Sequence, residues 1–257
     1  MPEETNIIKY ACEVLDWPYT KGAIADLLFS RAIPDDGKVK NAPKRAIDFG
    51  DFQLKNPNFS PSPFYINLRT GDHPITPGPL TRGDARKLAE EIRSQLFMSG
   101  IQFDYVAGIP YGGEPLVQAF LDLLPDGKAR EARFDKIGQG SNRRVANFKI
   151  AVPPYQGLAW KKVLLIDDVL SSGASLLEAI AAVEKAGCKV AGIAVIVDRE
   201  QGGREILAKR VYGKMISVFR ISQLLAFYVL TGKISLDQFN RVMEYLDMTR
   251  DMIANEP

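Results

Sequence analysis

The chain has 257 residues, of which 46% are hydrophobic and 25% are charged, and its formal net charge is +2. This length and composition suit one large α/β domain with additions, and the balance of charge gives no support for a nucleic acid or a membrane as partner. No apolar run is long enough to span a bilayer, and the polar first residues are unlike a signal peptide. Cys12 and Cys188 lie far apart, so we expect a cytoplasmic protein without a cysteine metal site.

The first part of the chain predicts two helices, a loop and two strands. Residues 6–32 place apolar residues at helical spacing, and Pro18 separates two helices within them. Residues 33–48 are rich in Pro, Asp and basic residues, which is typical of an exposed loop. Alternating or aromatic patterns then predict strands over 49–55 and 62–69.

A loop rich in Gly, Pro and Thr is predicted at 70–83, and a helix at 84–98, for which Asp84 is the expected cap. The loop contains His73, the only histidine of the chain. A lone loop histidine is expected to be solvated, and we assign it no role. A single histidine also excludes metal sites that need several, and argues against a histidine-dependent triad.

The first strand of a parallel sheet is predicted at 105–109, followed by a turn at 110–113 and a helix at 115–121. The glycines of this turn allow backbone amides to approach an anion without interference from a Cβ atom. The alternative is a plain turn between a strand and a helix.

The segment 128–149 carries seven Lys or Arg residues against two acids, Glu131 and Asp135. Its middle, 138–142, is flexible by composition. We expect a mobile basic loop that closes over a polyphosphate and places positive charge near the leaving group. A solvated, charged hairpin is the alternative.

The most informative stretch is a hydrophobic strand at 163–166, followed by Asp167 and Asp168, a Ser/Gly loop at 171–175 and a helix at 176–183. In parallel α/β sheets, ligands bind at the carboxyl ends of strands. A short loop that enters a helix N-terminus offers free amides to a phosphate. The two carboxylates are suited to accept hydrogen bonds from two sugar hydroxyls, or to hold a metal ion through water. The stretch therefore predicts a site for a phosphorylated sugar, unless the acids merely cap the helix.

A second buried strand is predicted at 190–197, and the segment 198–203 follows it with Arg199 between two acids. A guanidinium can form a paired fork to a ligand carboxylate, and a surface ion pair is the alternative. The rest of the chain predicts a short helix, a strand and two further helices, at 205–209, 215–219, 221–230 and from Ser235 onward.

The stretch from the buried strand through Asp167, Asp168 and the loop resembles the phosphoribosyl pyrophosphate (PRPP) signature of type I phosphoribosyltransferases. The segment 108–113 resembles the pyrophosphate loop of that family. The strands at 49–55 and 62–69 are similar to the N-terminal segment of orotate phosphoribosyltransferases, and 198–203 is similar to their motif after the strand.

The resemblance covers most of residues 22–232, with insertions near 33–48 and 70–83. It implies a Rossmann-like parallel sheet flanked by helices, with a small N-terminal hood. The implied domains are the N-terminal helices and hood over the base site, the phosphoribosyltransferase core and a C-terminal helix, at 1–83, 84–232 and 233–257.

The implied reaction transfers the 5-phosphoribosyl group of PRPP to orotate, giving orotidine 5′-monophosphate and pyrophosphate in pyrimidine nucleotide biosynthesis. The resemblance also implies a homodimer, and Mg²⁺ that is carried by PRPP and contacts Asp167 or Asp168 through water. The implied PRPP-binding residues are Lys55, Tyr111, Gly112, Asp167, Asp168, Ser171, Ser172, Gly173, Ala174 and Ser175. The implied base-binding residues are Phe64, Tyr65 and Arg199, and the implied catalytic residues are Arg130, Arg133, Lys136 and Asp168. Without the resemblance, Phe64 and Tyr65 would be expected in the core.

The basic segment departs from the family pattern of Arg-Lys-Glu, a spacer and Lys. This chain has Ala129, Arg130 and Glu131, then Ala132 and Arg133. Ala129 stands where the family has arginine, and Arg130 and Arg133 stand where it has lysine. Arginine keeps the charge but lacks the compact ammonium of lysine. Two alternatives therefore stay open: a phosphoribosyltransferase for another base, and a PRPP-sensing regulator with little turnover.

Overall fold

The computed structural model describes residues 3–33, 44–53, 61–73, 77–126, 128–138, 144–150, 160–211 and 213–254. In chain order the elements are α1 (Glu3–Leu15), α2 (Tyr19–Ser30), β1 (Ile47–Phe52), β2 (Ser62–Ile66), α3 (Arg82–Ser99), β3 (Tyr105–Gly108), α4 (Glu114–Leu121), β4 (Arg130–Ile137), β5 (Arg144–Ile150), β6 (Lys162–Leu170), α5 (Ala174–Lys185), β7 (Lys189–Asp198), α6 (Gly203–Ala208), β8 (Lys214–Arg220), α7 (Ile221–Leu230) and α8 (Leu236–Ala254). Among the described helices, none combines the length and the apolar character that crossing a membrane requires.

The chain forms two compact units, which we name the sheet unit and the terminal unit. The sheet unit comprises residues 81–198 and 202–218, and the terminal unit comprises residues 1–80, 199–201 and 219–257. The terminal unit therefore gathers both ends of the chain. The three-part division expected along the sequence stays a prediction.

A six-stranded sheet forms the centre of the sheet unit, in the order β5-β4-β3-β6-β7-β8. Strand β3 pairs in parallel with β4 and β6, and β6 pairs in parallel with β7. The apolar run Val163–Ile166 of β6 is fully buried, as a strand covered on both faces requires. The predicted Rossmann-like parallel sheet is confirmed. Because Gly108 is in register with Ile166 and β6 continues to Leu170, the loop after β3 begins beside the part of β6 that carries Asp167 and Asp168.

Helix α3 begins earlier than its sequence indicated. Thr81 is the N-cap, and its hydroxyl accepts the backbone N–H of Asp84 at 3.1 Å. The Asp84 carboxylate accepts the backbone N–H of Thr81 at 2.9 Å in return. The prediction of Asp84 as the cap was wrong, since it is the second half of a capping box.

The basic segment contains strands, so the expectation of a mobile loop over 128–149 was wrong for much of it. Strands β4 and β5 pair antiparallel. Ala132, Phe134 and Val145 are buried in the core of the sheet unit, and the rings of Phe134 and Phe148 are 5.2 Å apart. Alternating burial of these side chains stabilises a hairpin, which was the alternative to the mobile loop, although its buried face was not predicted. Residues 139–142 of the middle predicted to be flexible lie outside the described residues.

The terminal unit contains an antiparallel pair, β1 and β2, in which Phe49 is opposite Phe64. Both strands are shorter than predicted. His73 is buried, with 7% of its surface exposed, so the expectation of a solvated histidine was wrong. A bridge joins Thr70 and Leu80 on either side of it in the chain.

Candidate active site

Two adjacent carboxylates lie near the end of β6, on the strand itself. Asp167 is buried, with 7% exposed, and Asp168 is half-buried. The Oδ1 of Asp167 accepts the backbone N–H of Asp168 at 2.9 Å, and the Oδ1 of Asp168 accepts that of Val169 at 2.9 Å. Each carboxylate is therefore oriented by the backbone that follows it.

The loop after β3 lies against one of these carboxylates. A Cβ atom on Gly112 would be 2.3 Å from Asp168 Oδ1, so any other residue here would have to displace that carboxylate. Tyr111 has a φ of 79°, in the left-handed region, and its backbone N–H donates to Glu114 Oε2 at 3.1 Å. The structure thus brings together Tyr111, Gly112 and Asp168, which the sequence predicted as one site.

The loop after β6 leads into α5 through Gly173, whose φ is 80°. No described side chain caps this helix, and its first turn has no acidic residue. The loop is anchored from the other side, since the backbone N–H of Gly203 donates to the carbonyl of Ser171 at 3.0 Å. Ser171, Ser172 and Ser175 are half-buried. An uncapped helix start with small residues is a suitable anion site.

The predicted basic residues lie on β4, where Arg130 and Arg133 are exposed. Arg133 donates from Nε and NH2 to the carboxylate of Glu131, at 2.9 and 2.8 Å. These hydrogen bonds and the charge of Glu131 raise the pKa of the Arg133 guanidinium above its ordinary value, and the charge of Glu114 adds to the effect. Glu114 also accepts the backbone N–H of Tyr111 in the loop after β3. The side chain of Lys136 is outside the described part, and the catalytic role of these residues stays a prediction.

The predicted base-binding residues lie in the terminal unit. The Arg199 guanidinium is 4.5 Å from the ring centre of Phe64, which is completely buried. Within the described residues, the buried Arg199 Nε has no hydrogen-bond partner. Burial lowers the pKa of Arg199 from its ordinary value, and Tyr245 and Tyr65 partly oppose that shift. The half-buried Tyr65 packs on Phe52, with ring centres 5.8 Å apart. Lys55 is outside the described residues.

The segment that carries this arginine is held by helices far along the chain. Glu200 has a φ of 55°, and its carboxylate accepts the backbone N–H of Ser222 at 2.9 Å. Its carbonyl accepts Nε of Arg250 at 3.1 Å, while Nε2 of Gln201 donates to Thr249 Oγ1 at 3.0 Å. Sequence reasoning missed these contacts because no local pattern marks them.

An ion pair between a buried aspartate and a half-buried arginine at the end of β7 was also missed. Asp198 is buried and accepts Nε of Arg204 at 2.7 Å, and Arg204 also contacts the Ser217 hydroxyl. The sequence indicated this pair only by the short spacing between Asp198 and Arg204. The pair joins the end of β7 to α6 and β8.

Comparisons with known proteins agree with this geometry. A family model described as "Phosphoribosyl transferase domain" matches residues 75–224. The orotate phosphoribosyltransferase of Pyrobaculum aerophilum is 30% identical over 209 residues, which are 80% of this chain and 95% of that protein. The uridine 5′-monophosphate synthase of Bos taurus is 31% identical over 217 residues, which are 82% of this chain and 40% of that protein.

Solved structures support the fold. The orotate phosphoribosyltransferase of Francisella tularensis has a TM-score of 0.55 at 20% identity, over 79% of this chain and 93% of that chain. The UMP synthase of Leishmania donovani has a TM-score of 0.64 at 24% identity, over 88% of this chain and only 42% of that chain. The family match and the curated relatives show that this chain belongs to the phosphoribosyltransferase family, with the type I fold.

Proposed function

We propose that this chain is an orotate phosphoribosyltransferase, which transfers the 5-phosphoribosyl group of PRPP to orotate in pyrimidine nucleotide biosynthesis. The observation that carries the proposal is the pair Asp167 and Asp168 beside the uncapped start of α5. Sugar hydroxyls donate hydrogen bonds to carboxylates, and a phosphate accepts them from the first amides of a helix. A ribose 5-phosphate satisfies both requirements at once.

Arg199 supports orotate as the base. A buried guanidinium nitrogen without a partner is unfavourable, and a ligand carboxylate supplies the missing acceptor together with the opposite charge. Orotate carries such a carboxylate, whereas most nucleobases do not. Phe64 covers one face of the guanidinium and would hold it in place, while Tyr65 would contact the base.

The proposed reaction is a displacement at C1 of the ribose. A ring nitrogen of orotate forms the new bond as the bond from C1 to pyrophosphate breaks, and the ring proton is released. C1 becomes positively charged in the transition state while pyrophosphate becomes more negative. The amide of Gly112, with Arg130, Arg133 and Lys136, would stabilise the leaving group. Lys55 would bind PRPP, and no covalent nucleophile is required.

Mg²⁺ that enters with PRPP is part of the proposal. Carboxylate and phosphate oxygens are the ligands that Mg²⁺ accepts, and Asp167 and Asp168 would hold it through water. When bound, the ion neutralises charge on the pyrophosphate. Within the described residues, no group of three or more His, Cys, Asp or Glu is arranged to hold a metal.

A PRPP-sensing regulator is the second candidate, and one contact favours it. Arg133 is held by Glu131 on its own strand, so its charge is partly neutralised before any ligand binds. Ligand binding needs Asp167 and Asp168, whereas turnover also needs a free cation near pyrophosphate. A phosphoribosyltransferase for another base is the third possibility.

Consumption of orotate in the presence of PRPP and Mg²⁺, measured by absorbance, tests the proposal. The same assay is run with a panel of other bases. We expect orotate to be consumed. Turnover of another base alone would support the third possibility, and PRPP binding without any turnover would support the regulator.

Asp168→Asn is the matched variant for this assay, because it removes the negative charge of the carboxylate that would accept hydrogen bonds from the ribose hydroxyls. We expect kcat/KM for PRPP to fall about 100-fold. Asp126→Asn, at an exposed position after α4, is the control and should behave as wild type. Unchanged kinetics in Asp168→Asn would contradict the ribose assignment.

We further propose a cytoplasmic homodimer, in which the basic segment serves the partner's site as in the family that the chain resembles. Sedimentation measures the oligomeric state directly. Mixing Arg133→Ala with Asp168→Asn should restore part of the lost activity, since a mixed dimer has one intact site. Failure to recover activity from a mixture that does exchange subunits would exclude the shared arrangement.

A further inference from the structure

The last helix, α8, brings a second unpartnered polar group to Phe64. Tyr245 is 6% exposed, and its ring meets that of Phe64 edge-on, with centres 6.2 Å apart. Its buried hydroxyl has no hydrogen-bond partner in the described part of the chain. The same Phe64 ring carries the Arg199 guanidinium at 4.5 Å. The two side chains that carry these unpartnered buried atoms, the Tyr245 hydroxyl and the Arg199 Nε, therefore pack on one aromatic ring.

This combination indicates a missing acceptor. Buried polar groups are nearly always hydrogen-bonded, so an exception needs an explanation. Here two potential donors occur in one cluster, and both require an oxygen. A carboxylate offers two oxygens and a negative charge, which suits a phenol hydroxyl on one side and a guanidinium on the other.

The cluster is also rigidly held, as a binding site requires. Thr249 and Arg250 lie one turn after Tyr245 on α8, and they anchor Gln201 and Glu200, the neighbours of Arg199. The same helix thus positions the arginine and presents the tyrosine. Residues 236–254 lie beyond the family match at 75–224, so the match assigns them no role.

We propose that Tyr245 is a base-binding residue, whose hydroxyl donates to the carboxylate of the base alongside Arg199. This inference rests on the proposed function and deepens it. Tyr245 selects bases that carry a carboxylate, because a base without one leaves the hydroxyl unpartnered.

Tyr245→Phe tests the inference with two ligands that differ only in that carboxylate. Calorimetry should show orotidine 5′-monophosphate binding weakened about 10-fold to 100-fold, as expected for a hydrogen bond to a charged group. Affinity for uridine 5′-monophosphate, which lacks the carboxylate, should be unchanged. In kinetics, KM for orotate should rise and KM for PRPP should stay constant.

Thermal unfolding supplies a second, independent readout. Because the Tyr245 hydroxyl has no structural partner, Tyr245→Phe should leave Tm unchanged or raise it. Tyr228→Phe is the matched control: its hydroxyl donates to the carbonyl of Ala25 at 3.0 Å in the buried interior, so that variant should lower Tm and leave the ratio of the two nucleotide affinities unchanged.

Unchanged affinity of Tyr245→Phe for orotidine 5′-monophosphate would overturn the inference, as would an equal loss for both nucleotides. Failure of the variant to fold would also overturn it, since the hydroxyl would then have a structural partner. A wild-type protein that binds orotidine 5′-monophosphate but does not consume orotate would contradict the proposed function alone. A wild-type protein that does not bind this nucleotide would contradict both.

Discussion

Gly112 shows how one missing side chain can shape the candidate site. The Asp168 carboxylate occupies the space that a Cβ atom would need, and Tyr111 before it adopts a left-handed φ held by Glu114. Left-handed conformations cost free energy for residues other than glycine. At the scale of single residues, the loop after β3 is therefore shaped by the carboxylate that it must accommodate.

We expect Gly112→Ala to displace the Asp168 carboxylate and to raise KM for PRPP at least about 10-fold, because a 2.3 Å contact cannot be tolerated. Steady-state kinetics with varied PRPP measure this. Gly83→Ala is the control, since its Cβ would have only an ordinary contact, 3.6 Å from the Thr81 hydroxyl. That variant should keep wild-type kinetics, and similar kinetics in both variants would refute the steric argument.

At the scale of elements, β4 and β5 combine two patterns in one hairpin. Buried Ala132 and Phe134 stabilise the sheet, while the exposed Arg133 next to them carries charge. The register shifts between Arg133 and Asp135, and such irregularities redirect side chains on a strand. The hairpin is therefore both part of the core and a carrier of the predicted catalytic cations.

Arg133→Ala should lower kcat about 100-fold at saturating PRPP and orotate, as expected when one cation that stabilises a leaving group is lost. Arg86→Ala is the matched control, because Arg86 also pairs with a glutamate on an exposed surface. It should leave kcat unchanged. Equal kcat values for the wild type and Arg133→Ala would remove Arg133 from the catalytic residues.

Helices α1 and α7 are joined by Glu13, which accepts hydrogen bonds from Arg220 and from Nε2 of Gln223, the latter at 2.9 Å. Burial alone raises the pKa of Glu13, but these hydrogen bonds and the charge of Arg220 outweigh it, so the pKa is lowered overall. A carboxyl group with a lowered folded-state pKa stabilises the fold above its ordinary pKa. That stability is lost as the pH falls through the lowered value.

We therefore expect Glu13→Gln to reduce the free energy of unfolding by about 0.5–1 kcal/mol at pH 7. The difference from wild type should shrink below the ordinary glutamate pKa and disappear once the pH is below the lowered pKa of Glu13. Urea unfolding across the pH range measures this. Glu90→Gln, which breaks an exposed pair with Arg86, should have almost no effect. A stability difference between wild type and Glu13→Gln that increases as the pH falls would contradict the lowered pKa of Glu13.

At the scale of the whole molecule, the terminal unit depends on both ends of the chain. Phe239, Val242, Tyr245 and Leu246 of α8 are buried, and burial of an apolar side chain stabilises the fold by about 1.5–3 kcal/mol. Phe64 of β2 packs on one of them. The N-terminal strands and the C-terminal helix are therefore one structural unit, although they are far apart in sequence.

A chain that ends after Ile234 lacks α8, and we expect it to lose orotate binding and to unfold its terminal unit at a lower temperature. PRPP binding should persist at reduced affinity, because Asp167, Asp168 and the start of α5 belong to the sheet unit. Calorimetry with each ligand and thermal unfolding are the measurements. Wild-type binding of orotate by the shortened chain would contradict the role assigned to α8.

The sequence by itself determined the parallel sheet and the segment from β6 to α5. Each of these depends on local patterns: a run of apolar residues, two acids, and small residues before a helix. The Gly112 loop was also predicted, because glycines mark close backbone approach. The predictions made from composition were wrong where packing determines the structure, as in β4 and β5 and at the buried His73.

Only the tertiary structure decided which distant side chains meet. The hydrogen bonds from Arg250 to Glu200 and from Gln201 to Thr249, and the packing of Tyr245 on the Phe64 ring beside Arg199, join segments far apart in the chain. No periodicity or motif encodes such contacts, since they form when whole strands and helices pack together. Local patterns specify the elements, whereas the burial of their faces selects the neighbours of each functional side chain.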